Sequence, residues 1–255
     1  MAVLLSGDFH ANAANELTRI TKRKLIGAYG QELFNEIRYH VILGDGGFLW
    51  PGNKKGDAYI YKTLAFRPFP LLCVIGNHEP VLGRQDLPEI DIGIGEKVIL
   101  VNEKPFVAYL KRGKVYTIGG FTFLVLGGAL SIDQAFRKAG ISWWENEYWS
   151  GEEKEAVMKL LKRSNRFDYV LSHTGPSRIN QALFQNNADR YFPKFFDEVA
   201  ALNEKIDGMI ACKGWFCGHW HKDKYYYDGE LKREYRYLYS STAVLRGDEV
   251  ISSHR

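Results

Sequence analysis

Five short apolar runs divide the chain, and each ends on the same kind of residue. Ala2–Leu5 runs through Ser6 and Gly7 into Asp8 and His10. Val41–Leu43 is followed by Gly44-Asp45, and Leu71–Ile75 by Gly76-Asn77-His78-Glu79. Tyr169–Leu171 leads through Ser172 to His173, and Trp215–Cys217 leads to Gly218-His219-Trp220-His221. Apolar runs of three to five residues bounded by glycine read as buried strands. Each run therefore places a side chain able to bind a metal just past a strand's C-terminal end. If the runs are neighbouring strands, those side chains converge on one edge of a sheet, where open α/β sheets hold their ligands.

Between the runs the period changes. Leu17, Ile20, Leu25 and Ile26 recur at helical spacing, which predicts a helix from Ala13 to about Ala28 that Gln31–Tyr39 extends. Gly46–Gly56 reads as a loop, and Ala58–Phe66 as a short helix stopped by Pro68 and Pro70. Strand–helix alternation over the first 75 or so residues predicts βαβ units and a partly parallel sheet. Residues 97–126 carry four strand patterns with glycine or charged turns, which predicts one antiparallel ladder. Ser150 followed by Glu153 is a capping signature for a helix over Glu152–Leu161. A further helix is expected over Phe192–Ile206, and Asp228-Gly229 between tyrosine-rich strands predicts a hairpin.

Composition narrows the class without naming it. With 255 residues, 45% hydrophobic and 25% charged, the chain has globular proportions and suits one domain over residues 1–255. It has no apolar stretch long enough to span a membrane. Its N-terminal run leads straight into Asp8 with no basic region before it, so a cleaved leader is not expected. Cys73, Cys212 and Cys217 lack metal-site spacing and read as small core residues, which fits a reducing, cytoplasmic setting. The net charge of +4 is scattered, which would help an anionic phosphate approach; nucleic acid is not indicated.

Asp-x-His, Gly-Asp, Gly-Asn-His-Glu, a lone histidine and Gly-His-x-His, in that order from residue 8 to residue 221, resemble the calcineurin-like metallophosphoesterase superfamily. The resemblance implies an α/β fold: a central mixed β-sandwich flanked by helices, with the metal site at the C-terminal ends of strands. It implies a hydrolase that uses two divalent ions, Mn, Fe, Zn or Mg with Mn favoured, to cleave phosphate mono- or diesters by attack of a metal-bridging hydroxide. Carried over residue by residue, Asp8, His10 and His221 hold one ion and Asn77, His173 and His219 the other. Asp45 bridges the two. His78 is then the general acid or a transition-state stabiliser, which a carboxylate such as Glu79 or Asp8 could keep protonated. After Gly44-Asp45 the chain continues Gly46-Gly47-Phe48, lacking the Asp-Arg-Gly of the protein Ser/Thr phosphatases.

The expected substrate is a phosphorylated small molecule, peptide or nucleotide. A nuclease-like phosphodiesterase and a catalytically idle protein-binding scaffold are the alternatives, and the complete ligand set argues against the scaffold. Two further features stand outside the motifs. Arg137 has the fork suited to phosphate. The segment 140–151 packs Trp143, Trp144, Tyr148 and Trp149 together, and is expected to border the active site and shape substrate choice. His40 and His254 read as structural.

Overall fold

The computed structural model describes residues 1–10, 20–49, 61, 62, 64, 67–82, 84–131, 133–191 and 197–253, of which 185–191 are described by backbone alone. The chain runs β1 (Ala2–Ser6), α1 (Lys22–Glu36), β2 (Ile37–Ile42), β3 (Leu71–Val74), β4 (Glu89–Ile90), β5 (Val98–Asn102), β6 (Val107–Leu110), β7 (Lys114–Ile118) and β8 (Phe121–Leu126). It continues α2 (Gly151–Arg163), β9 (Tyr169–Ser172), α3 (Ser177–Tyr191), α4 (Glu198–Asp207), β10 (Gly214–Cys217), β11 (Lys224–Asp228), β12 (Arg233–Tyr237), β13 (Thr242–Arg246) and β14 (Glu249–Ser253). One sheet has the order β14-β13-β1-β2-β3-β6-β5-β4, the other β11-β12-β10-β9-β8-β7.

Side-chain alternation along the strands explains the layering. In β1, Val3 and Leu5 face the second sheet and join Phe123, Tyr169, Leu171 and Phe216 in the core between the sheets. Ala2 and Leu4 face the other way, onto Leu25, Leu33 and Phe34 of α1. On the far side, Trp215 and Val170 pack on Val157 and Leu161 of α2, Ile179 of α3 and Val199 and Ile206 of α4. Strands covered on both faces need apolar residues at every position, which is why the motif-bearing runs show no alternation. The result is a mixed β-sandwich flanked by helices.

Several expectations change. Strand β2 already begins at Ile37, because Thr21 caps α1 and the helix ends at Glu36. Residues 97–126 do not make one ladder. The β5–β6 hairpin joins the first sheet, with β6 parallel to β3, and the β7–β8 hairpin joins the second, with β8 parallel to β9. Helix α3, which starts at Ser177 just after the loop that carries His173, was not among the expected elements. The C-terminal hairpin β13–β14, which lays β13 antiparallel on β1, had no sequence signal recognised. The Ser150 capping box and the Asp228-Gly229 hairpin form as expected. Residues 11–19, most of 50–66 and 192–196, on which parts of the predicted helices and the glycine-rich loop fall, lie outside the described residues.

Candidate metal centre

Strands β1, β2 and β3 run parallel, as do β9 and β10, so all five motif-bearing runs end at the same edge. Three of them lie in one sheet and two in the other. His173 stitches the sheets together: its Nδ1 lies 2.7 Å from the Leu43 carbonyl, and its own carbonyl accepts from Gly218 N. Further crossed bonds lock the loops. His219 N donates to the Asp8 carboxylate at 2.9 and 3.1 Å, and His78 N donates to Asp45 Oδ1 at 3.0 Å.

The backbone at this edge is unusual. Five described non-glycine residues have positive φ: His10, Asp45, His219, His221 and Lys232. Four of the five carry expected metal ligands. The left-handed region costs an ordinary side chain on the order of 1 kcal/mol or more, and such strain gathers where function needs a particular side-chain direction.

The side chains meet accordingly. Asp8, His10 and His221 can bring one ligand atom each within 4.8 Å of one another, as can His10, Asp45 and His78, and Asp8, Asp45 and His173. His10 Nε2 and His221 Nε2 stand 2.6 Å apart, and Asp8 Oδ2 is 3.2 Å from the latter. On the opposite side Asn77 Oδ1 lies 2.9 Å from His173 Nε2, and the His219 ring is 5.0 Å from the His173 ring. Asp45 Oδ2 lies between, 3.8 Å from His10 Nδ1 and 3.4 Å from His173 Nε2. Imidazole nitrogens, carboxylates and one neutral amide oxygen make a donor set suited to a pair of divalent cations. All seven expected ligands thus converge, with His78 beside them.

Electrostatics fit the same picture. Burial would push Asp45 up, but His173, with His78 and His10, holds it well below the usual carboxylate range. Burial would lower His173, yet Asp45 and Asp8 raise it to about 10. A bound cation would take the place of that proton. Burial, with neighbouring His173, keeps His219 well below the ordinary histidine value, so its ring is neutral and free to ligate.

Two findings revise the surroundings. Glu79 does not face His78. Its carboxylate is buried and accepts from Gly46 N at 2.6 Å, Gly76 N at 2.5 Å and Tyr109 Oη at 2.8 Å, bracing the loops that carry Asp45 and Asn77. His78 instead meets Arg137, whose Nη1 donates to His78 Nδ1 at 2.7 Å while Asp133 holds Nε at 2.5 Å. Burial foremost, with Arg137 beside it, lowers His78 despite nearby Asp45. An arginine can only donate, so the ring facing it is neutral.

Among the described residues, the tryptophan-rich segment touches the candidate ligands only through Glu147, whose partner Ser131 meets Asn77, and its aromatics are half-buried apart from Trp149. Trp149 is buried, donates to the Gly127 carbonyl at 2.9 Å and lies under Arg112. Trp143 stands edge-on to Tyr148, while Phe136 and Ile141 are exposed. Sequence reasoning passed over Glu147: two glutamates, Glu145 and Glu147, stand among the same four aromatics, and only Glu147 is buried.

The fold and edge are those of a metallophosphoesterase, and the comparisons agree. The calcineurin-like phosphoesterase family model matches residues 1–223, and the chain belongs to that family. A dimetal phosphatase from Danio rerio shares the fold at 12% identity and a TM-score of 0.51, covering 99% of this chain and 95% of that one. Another crystal structure is similar at 13% identity and a TM-score of 0.52, covering 99% and 98%. No curated protein matches the sequence. Among the described residues no helix is long and apolar enough to cross a membrane.

Proposed function

We propose that the chain is a metal-dependent phosphoesterase acting on phosphate esters of small molecules, peptides or nucleotides. The observation that carries this is the meeting of three overlapping ligand groups at one edge, on backbone held in left-handed conformations. Asp8, His10 and His221 would hold one divalent cation, Asn77, His173 and His219 a second, and Asp45 would touch both. Bound there, such ions would lower the pKa of a water and neutralise phosphate oxygens.

The chain's own residues supply the rest. Arg137, anchored by Asp133, puts a forked cation beside the centre, suited to a phosphoryl group. Substrate entering there would take Arg137's bonds from His78 and free the imidazole for the transferring group or leaving oxygen. The neutral amide of Asn77 adds a ligand without adding negative charge against the phosphate.

The test uses protein stripped with chelator and reloaded with Mn²⁺. It is assayed on a nitrophenyl monoester, a nitrophenyl diester, a phosphopeptide and single-stranded DNA. Turnover of at least one ester that disappears in Asp45→Ala is expected. Two-ion binding without turnover of any ester would favour a scaffold, and cleavage of DNA alone a nuclease.

A further inference from the structure

The segment between β8 and α2 reaches the centre twice. Arg137 is one contact. The other ends on a metal-ligand candidate and has a definite polarity. Glu147 is 2% exposed, and both its oxygens are taken by one residue: Ser131 N donates to Oε2 at 3.0 Å and Ser131 Oγ to Oε1 at 2.7 Å. An ionised carboxylate only accepts, so while Glu147 carries its charge the serine hydroxyl spends its proton on it. That leaves Ser131 Oγ to accept, and Asn77 Nδ2 donates to it at 2.9 Å. With its NH₂ committed there, Asn77 turns Oδ1 toward His173 Nε2 and the centre.

The support beneath Glu147 is rigid. Arg112, with a 2% exposed side chain, donates to the carbonyls on either side of it, Asn146 O at 2.9 Å and Tyr148 O at 2.7 Å, and is fixed by the Glu153 carboxylate. Asn146 Nδ2 also donates to Leu82 O, tying the segment to the chain just after the Gly-Asn-His motif. Burying a carboxylate is costly, and burial raises this one to about 7 even though Ser131 draws it down. An apolar residue would pack among these aromatics without that cost.

We propose that Glu147 and Ser131 form a positioning relay that fixes the Asn77 amide with its oxygen toward the metal centre, and so sets the affinity for one of the two cations. The inference rests on Asn77 being a ligand. Groups that orient a ligand in this way change metal affinity by about 10- to 100-fold when lost. Glu147→Gln is nearly isosteric but can donate to Ser131 Oγ, freeing the hydroxyl to donate to Asn77 and letting the amide turn over. Ser131→Ala removes the acceptor, and Ser131→Thr keeps it.

Chelator-stripped protein is titrated with Mn²⁺ by calorimetry. In Glu147→Gln and Ser131→Ala one site is expected to weaken by about tenfold or more while the other keeps its affinity. Ser131→Thr restores the wild-type curve. The melting temperature of each stripped variant shows whether the fold survives, and a site-selective change with the other site intact separates positioning from general loosening. If Asn77→Ala loses one site but Glu147→Gln and Ser131→Ala keep both, the relay is overturned and the ligand reading stands. If Asn77→Ala itself keeps both, the ligand reading falls and the relay with it.

Discussion

Replacing Gly218 by alanine should disarm the centre without unfolding the protein. Gly218 does not have positive φ, so its backbone accepts an L side chain; the obstacle is space. A Cβ at this position would overlap Asp8 Oδ1, with Leu43 O at 3.0 Å and Asp8 Cγ at 3.3 Å. To restore an ordinary contact, the Asp8 oxygen must retreat by roughly 1 Å or more. Metal sites tolerate errors of only about 0.2 Å in ligand distance. Retreat also pulls Asp8 off His219 N and away from His221. Overpacking costs roughly 1–3 kcal/mol, and for a chain of this size each kcal/mol moves the melting temperature by about 2–4 °C. Gly218→Ala is therefore expected to melt about 2–12 °C lower when stripped of metal, and to bind Mn²⁺ at least tenfold more weakly. Gly229→Ala, whose Cβ would meet nothing within 4 Å, is the control. Equilibrium dialysis with elemental analysis reads the metals, and tryptophan fluorescence reads the melt. Two ions bound at wild-type affinity in Gly218→Ala would refute this geometry.

Two other outcomes follow from the same structure. His40 is buried, lies 2.8 Å from Ser6 Oγ and is pushed from 6.5 down to about 3, chiefly by burial and then by Arg67. Below pH 6.5 the unfolded chain takes up a proton that the folded chain refuses, so His40 makes stability fall with pH from 6.5 toward 3, by about 1.4 kcal/mol per unit. In chelator, urea melts at pH 7 and pH 5 should show His40→Gln losing roughly 2 kcal/mol less than wild type over that interval; identical losses would contradict this. His78→Ala should keep both ions and lose most turnover, least on nitrophenyl esters and most on alkyl esters. Equal loss on both would show that His78 does not act on the leaving oxygen.

The candidate site was almost wholly legible in the sequence because it is written at strand ends, where short apolar runs and glycines mark position sharply. The sandwich was legible in outline for the same reason. What escaped has physical causes. The β5–β6 and β7–β8 hairpins look alike locally, and only the parallel pairing of β6 on β3 and β8 on β9 sends them to different sheets. Helix α3 was missed because Pro176 marks a loop as readily as the first turn of a helix. Glu79 follows His78 in sequence, yet residues adjacent in an irregular turn point apart, and its carboxylate found two backbone N–H groups in the interior. Glu147 reaches the centre through Ser131 across a span that no periodicity describes.

The glycines that precede candidate ligands explain how so few residues build so dense a candidate centre. Gly76 precedes Asn77, and a Cβ there would strike Asp45 of the neighbouring strand; Gly218 precedes His219, and a Cβ there would strike Asp8 of the other sheet. Each glycine thus makes room for a ligand carried by a different strand. The same ligands are then tied by backbone N–H groups of the facing loop, His78 to Asp45 and His219 to Asp8. A ligand held by another strand's backbone cannot move alone, so left-handed strain at four residues persists because every neighbour enforces it. Preorganisation of this kind keeps buried carboxylates together before any cation arrives, with His173 carrying the compensating proton. The proposed Glu147–Ser131 relay would extend the principle to Asn77, whose amide could otherwise turn either end toward the centre.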